Sequence, residues 1–289
     1  MKRILIIGCG DVGERLVRRY SGQAHFAALT RSAAGSERLR ALGVKPVLGD
    51  LDQPGTLKRL PRADGVFHFA PPPGDGDIDL RTRHLIQALA RHGNPRSLVY
   101  ISTSGVYGDC GGAWVDESRP VAPVNGRAVR RVDAENRLRA WGGQQGVRVS
   151  ILRAPGIYAA DRLPLERIKR GTPALIAADD SYTNHIHADD LARMAWAAMF
   201  RGRSQRMVHA VDTRPLKMGD WFDSCADAFG LARPPRISRA QAAGVLSEAL
   251  LSFLRESRQL SNRRAVRELR FHYLYPTSDD LLGKTVGTA

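Results

Sequence analysis

The chain has 289 residues, enough for one large domain or two small ones around a real core. A hydrophobic share of 43% with 25% charged residues is that of an ordinary globular protein, which argues against a disordered or fibrous chain. The net charge is +15, but the basic residues are spread along the whole chain, which favours a coding bias over a nucleic-acid partner.

The start, "MKRILIIGCG", has the basic pair, apolar run and cysteine of a lipoprotein signal. Its apolar run Ile4–Ile7 is far short of the roughly 7–15 residues an export signal needs, so "RILIIG" reads as a strand. "GERLVRRY" follows with helical spacing. "FAALTR" is a second strand and "SERLRALG" a helix ended by Gly43. "KPVLGD" is a third strand and "PGTLKRL" a short helix with Pro54 near its start. "GVFHFA" is a fourth strand, stopped by three prolines, and "DLRTRHLIQALARHG" a helix. "SLVYIS" is a fifth strand, "VNGRAVRRVDAEN" a helix and "VRVSILRAP" a sixth strand. Strands that alternate with helices imply a parallel sheet with right-handed crossovers, and their continuous apolar character implies helices on both faces.

After Pro155 the rhythm changes. Residues 156–186 read as irregular, with one helix around Leu165–Arg170. "DDLARMAWAAMF" is a helix that Asp189 or Asp190 can cap. "RMVHAV" is one more strand, near 206–212. "MGDWFDSCADAFG", "AQAAGVLSEALLSFL" and "SNRRAVREL" are helices. The expected fold is therefore α/β: a Rossmann-type doubly wound parallel sheet over 1–155, joined by that further strand, with a smaller, mostly helical cap over 156–289 intertwined with it.

Gly8-Cys9-Gly10-Asp11-Val12-Gly13 is G-x-G-x-x-G directly between a strand and a helix. Gly8 permits the tight turn, Gly10 lets a pyrophosphate approach the backbone, and Gly13 lets helix and strand pack closely. The helix N-terminus offers free N–H groups and a positive dipole. The second strand ends in Thr30-Arg31-Ser32, with no acid to take the adenine ribose. An arginine between hydroxyls suits a 2′-phosphate, so NADP is favoured over NAD. Ligands of such sheets lie across the carboxyl ends of the strands. Asp50 and Leu51 then reach the adenine, and Ala70, Pro71 and Pro72 line the adenosine and ribose. Thr103 and Pro155 lie toward the nicotinamide.

Four segments resemble the extended short-chain dehydrogenase/reductases, the NAD-dependent epimerase/dehydratase family: "VYISTSGVYGD", "LRAPGIYA", "NHIHADDLARMAWAAM" and "SRQLSNRRAVRELRFHYLYPT". The resemblance implies hydride chemistry with a Ser or Thr after the fifth strand and a Tyr-x-x-x-Lys on the next helix. Thr103 matches the Ser/Thr. Matching Ala134-Glu135 to the family's alanine-glutamate puts the lysine at Arg131 and the tyrosine at Arg127, so both signature residues are replaced. Arginine stays protonated and is no proton donor near neutral pH. Arg131 can still hold a ribose hydroxyl, and Arg127 faces the substrate. Tyr107 and Tyr158 match aromatic positions of the family's substrate wall. On a ~100° step, Arg127, Arg130 and Arg131 share one arc, with Arg130 on its solvent edge and Glu135 one turn on as an internal partner for Arg131.

The resemblance thus implies an oxidoreductase or epimerase for a polar substrate such as a nucleotide-activated sugar. The rival is a sensor or regulator that binds the nucleotide without turnover. "HIHADD" has the His-x-His-x-Asp of hydrolytic zinc sites but no further ligand at a compelling spacing, so no metal is expected. Cys9, at a helix N-terminus, would be reactive unless a bound pyrophosphate covers it. Cys9, Cys110 and Cys225, an odd number without C-x-x-C spacing, suggest reduced thiols in a cytoplasmic protein. No apolar run approaches the ~18 residues of a membrane span. A small molecule is the expected partner, and a homodimer is left open.

Overall fold

Four consecutive apolar residues, Ile4–Ile7, are buried on both sides of the first strand. The computed structural model describes residues 1–286. Seven strands make one sheet: β1 Lys2–Ile7, β2 Ala24–Thr30, β3 Lys45–Leu48, β4 Gly65–His68, β5 Ser97–Thr103, β6 Arg148–Ala154 and β7 Arg206–His209. Their order is β7-β6-β5-β4-β1-β2-β3, and every pairing is parallel. The order reverses between β1 and β4, which opens a crevice at their carboxyl ends.

The helices are α1 Asp11–Tyr20, α2 Ala33–Ala41, α3 Leu80–His92, α4 Gly126–Gln145, α5 Leu165–Lys169, α6 Ala188–Arg201, α7 Met218–Ala228, α8 Arg239–Val245, α9 Glu248–Leu254, α10 Arg263–Leu269 and α11 Asp279–Val286. One face of the sheet packs on α1, α6 and α10, with Ile4, Ile6, Phe67 and Val99 against Leu16, Leu191, Met194 and Leu269. The other packs on α3 and α4, with Leu5, Val66, Leu98 and Ile151 against Leu85, Leu89, Ala134 and Leu138. Each such side chain contributes about 1.5–3 kcal/mol. The helix α6 lies after Pro155 in sequence yet covers half of the sheet.

Several boundaries differ from the expected ones. "PGTLKRL" forms a 3-10 turn, Pro54–Arg59, rather than an α-helix. "AQAAGVLSEALLSFL" is two helices, because Leu246 is extended and Ser247 starts a new one. The cap of α6 is His187, whose Nδ1 accepts from the Asp189 amide at 3.2 Å, not Asp189 or Asp190. Asp190 instead takes the amides of Leu274 and Tyr275 at 3.0 and 2.8 Å. His185–His187 forms a short parallel strand pair with Gly156–Tyr158.

Candidate active site

The turn after β1 divides its glycines by role. Gly8 has φ +87, and a Cβ there would meet the Ala70 backbone nitrogen at 2.5 Å. A Cβ on Gly10 would meet nothing within 4 Å, so this is the open side where a pyrophosphate can approach. At Gly13 the neighbours are the Cys9 sulfur at 3.2 Å and the Gly8 carbonyl at 3.6 Å, which is helix-to-turn packing. These residues fit a dinucleotide. Asp11 turns its carboxylate to Arg15 at 2.8 Å and Arg162 at 3.1 Å, and no side chain caps the start of α1. Val12 is half-buried beside them. Burial raises the Cys9 thiol to about 11, with Glu14 adding to it, so Cys9 is protonated at neutral pH. Cys9, Cys110 and Cys225 are all buried and free of disulfides.

At the end of β2, Arg31 and Ser32 are exposed. The Ser32 hydroxyl oxygen accepts from Gly35 N at 3.1 Å as the cap of α2, which leaves its proton to donate outward. Asp50 takes the Asp52 amide at 3.0 Å, and buried Leu51 gives its carbonyl to His84 at 2.7 Å. Arg81, unremarked in the sequence, grips Asp52 through two bonds of 2.7 Å and also donates to the Pro71 and Pro72 carbonyls at 3.1 and 3.4 Å. It ties the third and fourth strand ends together. Arg38 donates to the Cys9 carbonyl at 2.9 Å and pairs with Glu14. Both arginines lie in helices whose spacing gave no hint of a role.

A cavity of about 670 Å³ opens at the carboxyl ends of β5 and β6. Its floor is Ile101–Gly105 and Ala154–Ile157, and its side is the start of α4, with Asn125, Arg127, Ala128 and Arg131. The cap closes it with Ser181–His185, Met218, Ser252, Phe253, Glu256 and Arg258. Asn184 locks that closure, donating to the Arg258 carbonyl at 2.9 Å and accepting from Leu260 N at 2.8 Å. The cavity brings together Thr103, Arg127, Arg131 and Pro155. Thr103 Oγ1 accepts from Gly105 N at 3.2 Å, so its proton is free to face a ligand.

Two expected substrate contacts lie elsewhere. Tyr107 is sealed in the core, with its hydroxyl 2.6 Å from His209 Nε2 and 2.7 Å from an Arg153 donor. Tyr158 is also buried, stacked edge-on against Trp221, and its hydroxyl donates to the Thr277 carbonyl at 3.2 Å. Neither lines the cavity: each ring is packed in a separate buried cluster.

The arginine helix also sorts differently from its arc. Arg130 is buried and donates to the Gly76 carbonyl, so it does not face solvent. Glu135 is not a partner of Arg131. It pairs with Arg153 at 2.6 and 3.1 Å and accepts from the Ser102 hydroxyl at 2.6 Å, all three side chains buried. Arg131 donates from one nitrogen to the Tyr100 hydroxyl at 2.9 Å and the Ile101 carbonyl at 2.6 Å. Arg127 lies over the Phe253 ring at 5.4 Å. Among the described residues, no carboxylate lies within 4.0 Å of either guanidinium. Behind Arg131, burial first and the Arg131 charge second push His68 down to about 3, so it is neutral. Tyr100 is wholly buried, its pKa raised mainly by that burial, and cannot reach the cavity as an acid.

Sequence reasoning missed the cap's share of the site. Glu256 is the carboxylate of the cavity wall, held by Arg258 at 2.8 Å and approached by the Asn125 amide at 3.5 Å. A Cβ on Gly105 would sit 3.5 Å from Thr103 Oγ1 and 4.0 Å from Glu256 Oε2, so hydroxyl and carboxylate flank one spot. Such a pair can exchange a proton with a ligand oxygen. Tyr182 lines the same wall beneath the Lys217 ammonium, 4.4 Å from its ring centre.

The family model described as "NAD dependent epimerase/dehydratase family" matches residues 4–210. The chain belongs to that family. A solved structure of a functionally unknown conserved protein from Silicibacter pomeroyi superposes with a TM-score of 0.84 at 26% identity, covering 99% of each chain. The UDP-glucose 4-epimerase of Thermotoga maritima, solved with UDP-glucose, gives a TM-score of 0.79 at 17% identity over 99% of this chain and 97% of that one, a likeness of fold. A farnesyl-dihydroquinoline-oxide ketoreductase of Stigmatella aurantiaca is 24% identical over 248 residues, 80% of this chain and 74% of its own. The membership agrees with a nicotinamide cofactor at the glycine turn. Among the described residues, no helix is long and apolar enough to cross a membrane.

Proposed function

We propose that the protein is an NADP(H)-binding oxidoreductase or epimerase that acts on a polar small molecule, with a non-standard active site. The observation that carries this is a pair of built features on one edge of the sheet. A glycine turn shaped for a pyrophosphate sits at the end of β1, and a cavity of about 670 Å³ with both polar and apolar lining sits at the ends of β5 and β6, on the same edge of the sheet. When bound, the nicotinamide supplies the hydride acceptor or donor. The chain's part is to orient and to handle the proton. Thr103 gives a hydroxyl to the substrate oxygen, Arg131 holds the ribose and steadies charge on that oxygen, and Pro155 closes the floor. A nucleotide-activated sugar, the class of molecule bound in the Thermotoga relative, fits a cavity of this size with Thr103, Arg127 and Arg131 on its wall. The loss of the tyrosine supports a second reading, a sensor that binds the cofactor without turnover. Three buried thiols accord with a cytoplasmic setting.

The exposed Arg31 supports the preference for NADP(H), since its fork suits a 2′-phosphate. NADPH at 100 times its Kd should add roughly 2.7 kcal/mol over the ligand-free protein, and should raise the melting temperature more than NADH at equal concentration. Arg31→Ala should remove most of the difference, a charge-assisted bond being worth about 1.5–3 kcal/mol. An equal response of the unaltered protein to both cofactors would overturn the preference. Oxidation of NADPH with a panel of carbonyl compounds and nucleotide sugars separates the enzyme from the sensor.

A further inference from the structure

The charged side chains on the cavity wall do not balance. Arg258 is matched by Glu256 at 2.8 Å and by the Gly108 carbonyl. Arg127 and Arg131 have no such match among the described residues. Arg131 is half-buried, and one of its nitrogens is pinned by the Tyr100 hydroxyl and the Ile101 carbonyl. That fixes the guanidinium plane and leaves the other edge of the fork toward the cavity. Arg127 is one helical turn away, about 6 Å along the axis, and rests on Phe253 of the cap. Their helix begins at the cavity, with its capping residue Asn125 in the wall, so the positive end of a 20-residue helix adds to the field.

For half-buried Arg131 the lack of a counter-charge is costly unless a ligand supplies one, while exposed Arg127 is solvated and adds its fork to the same wall. Two forks a turn apart match a multivalent oxyanion better than a neutral hydroxyl. From this we propose that the substrate carries a multivalent oxyanion, a phosphate ester or a pair of carboxylates, at its reacting end, bound between Arg127 and Arg131. The inference rests on the oxidoreductase reading above, which it narrows to acidic substrates. It also gives a reason for the exchange of the signature pair: the helix trades a proton donor for an anion clamp, and proton exchange falls to groups such as Thr103 and Glu256.

Calorimetric titration of the NADPH-saturated protein tests it, with glucose 6-phosphate, citrate and glucose at one fixed ionic strength. The expected result is binding of one or both acids and none of glucose, and which acid binds tells a phosphate ester from a carboxylate pair. Arg127→Gln should weaken the acid at least tenfold while leaving NADPH affinity within twofold. Arg131→Gln should weaken both. Arg139→Gln, exposed on the same helix, should change neither. The proposal is overturned if no acid binds, if Arg127→Gln binds it as well as the unaltered protein, or if Arg139→Gln weakens it equally, which would mean general surface charge. If NADPH itself fails to bind, the oxidoreductase reading fails, and the same titration of the ligand-free protein still decides the anion site.

Discussion

Four of the charged residues near the site look alike in sequence and do different work. Arg127 and Arg131 reach the cavity, Arg130 braces the Gly76 carbonyl, and Arg153 is locked to Glu135 in the core. Helical spacing showed that the first two share a face. It could not show that Glu135 points past Arg131 to a strand, because that depends on how α4 crosses β5 and β6. Burial works against the Arg153 charge, and the bonds and field of Glu135 and Tyr107 outweigh it, holding its pKa up. Removing one partner leaves a buried charge unmatched, so Glu135→Ala should cost about 3–5 kcal/mol in denaturant unfolding. Arg153→Met on that background should cost much less than it does alone, the two residues being coupled. A loss below about 1 kcal/mol for Glu135→Ala would mean that water or a shifted side chain replaces the pair.

At the scale of elements, the strands were legible because β1, β4, β5 and β6 are apolar runs with clear stops. The cap was less so, since its short strand pairs, such as Tyr182–Thr183 with Leu216–Lys217, are held by tertiary contacts and not by pattern. The glycine turn was the most legible element, and its three glycines separate fold from function. Gly8→Ala puts a methyl 2.5 Å from a backbone nitrogen at a left-handed φ, so the turn itself should fail, with a stability loss of at least about 2 kcal/mol. Gly10 has φ −94 and open space around its Cβ direction. Gly10→Ala should therefore keep the melting temperature of the ligand-free protein within a few degrees and abolish its shift with NADPH. A Gly10→Ala protein that binds NADPH normally would show that the pyrophosphate does not pass there.

In the whole molecule, β7, α6 and α10 complete a core that the first 155 residues begin. The sequence placed the strand of 206–212 in the sheet but gave no sign that α6 would close one face, because an amphipathic helix does not name its partner. That shared core also buries titratable groups far apart in sequence. Burial pushes His68 and His209 down to about 3 and His185 to about 4, so all three are neutral at pH 7. Arg131 adds to the effect at His68, while at His209 the Ser261 carbonyl partly opposes it. In the unfolded chain each would take up a proton near pH 6.5, well above its folded value. Their contribution to stability is therefore complete above about pH 6.5 and is lost as pH falls toward 4. Asp212 acts in the opposite sense: burial raises its carboxyl well above the usual range, so the folded protein takes up a proton there before the unfolded chain does. Burial raises Glu117 and Asp180 in the same sense, so these carboxyls subtract from the protons that the three histidines take up on unfolding, and the net loss of stability with acid is smaller than three imidazoles alone would give. The melting temperature should hold nearly level from pH 8 to 7 and fall from 6.5 to 5. His209→Gln should flatten that fall by about one proton if the amide can keep a bond to Tyr107. A melting temperature that stays level down to pH 5 would mean that the three imidazoles take up their protons in the folded state.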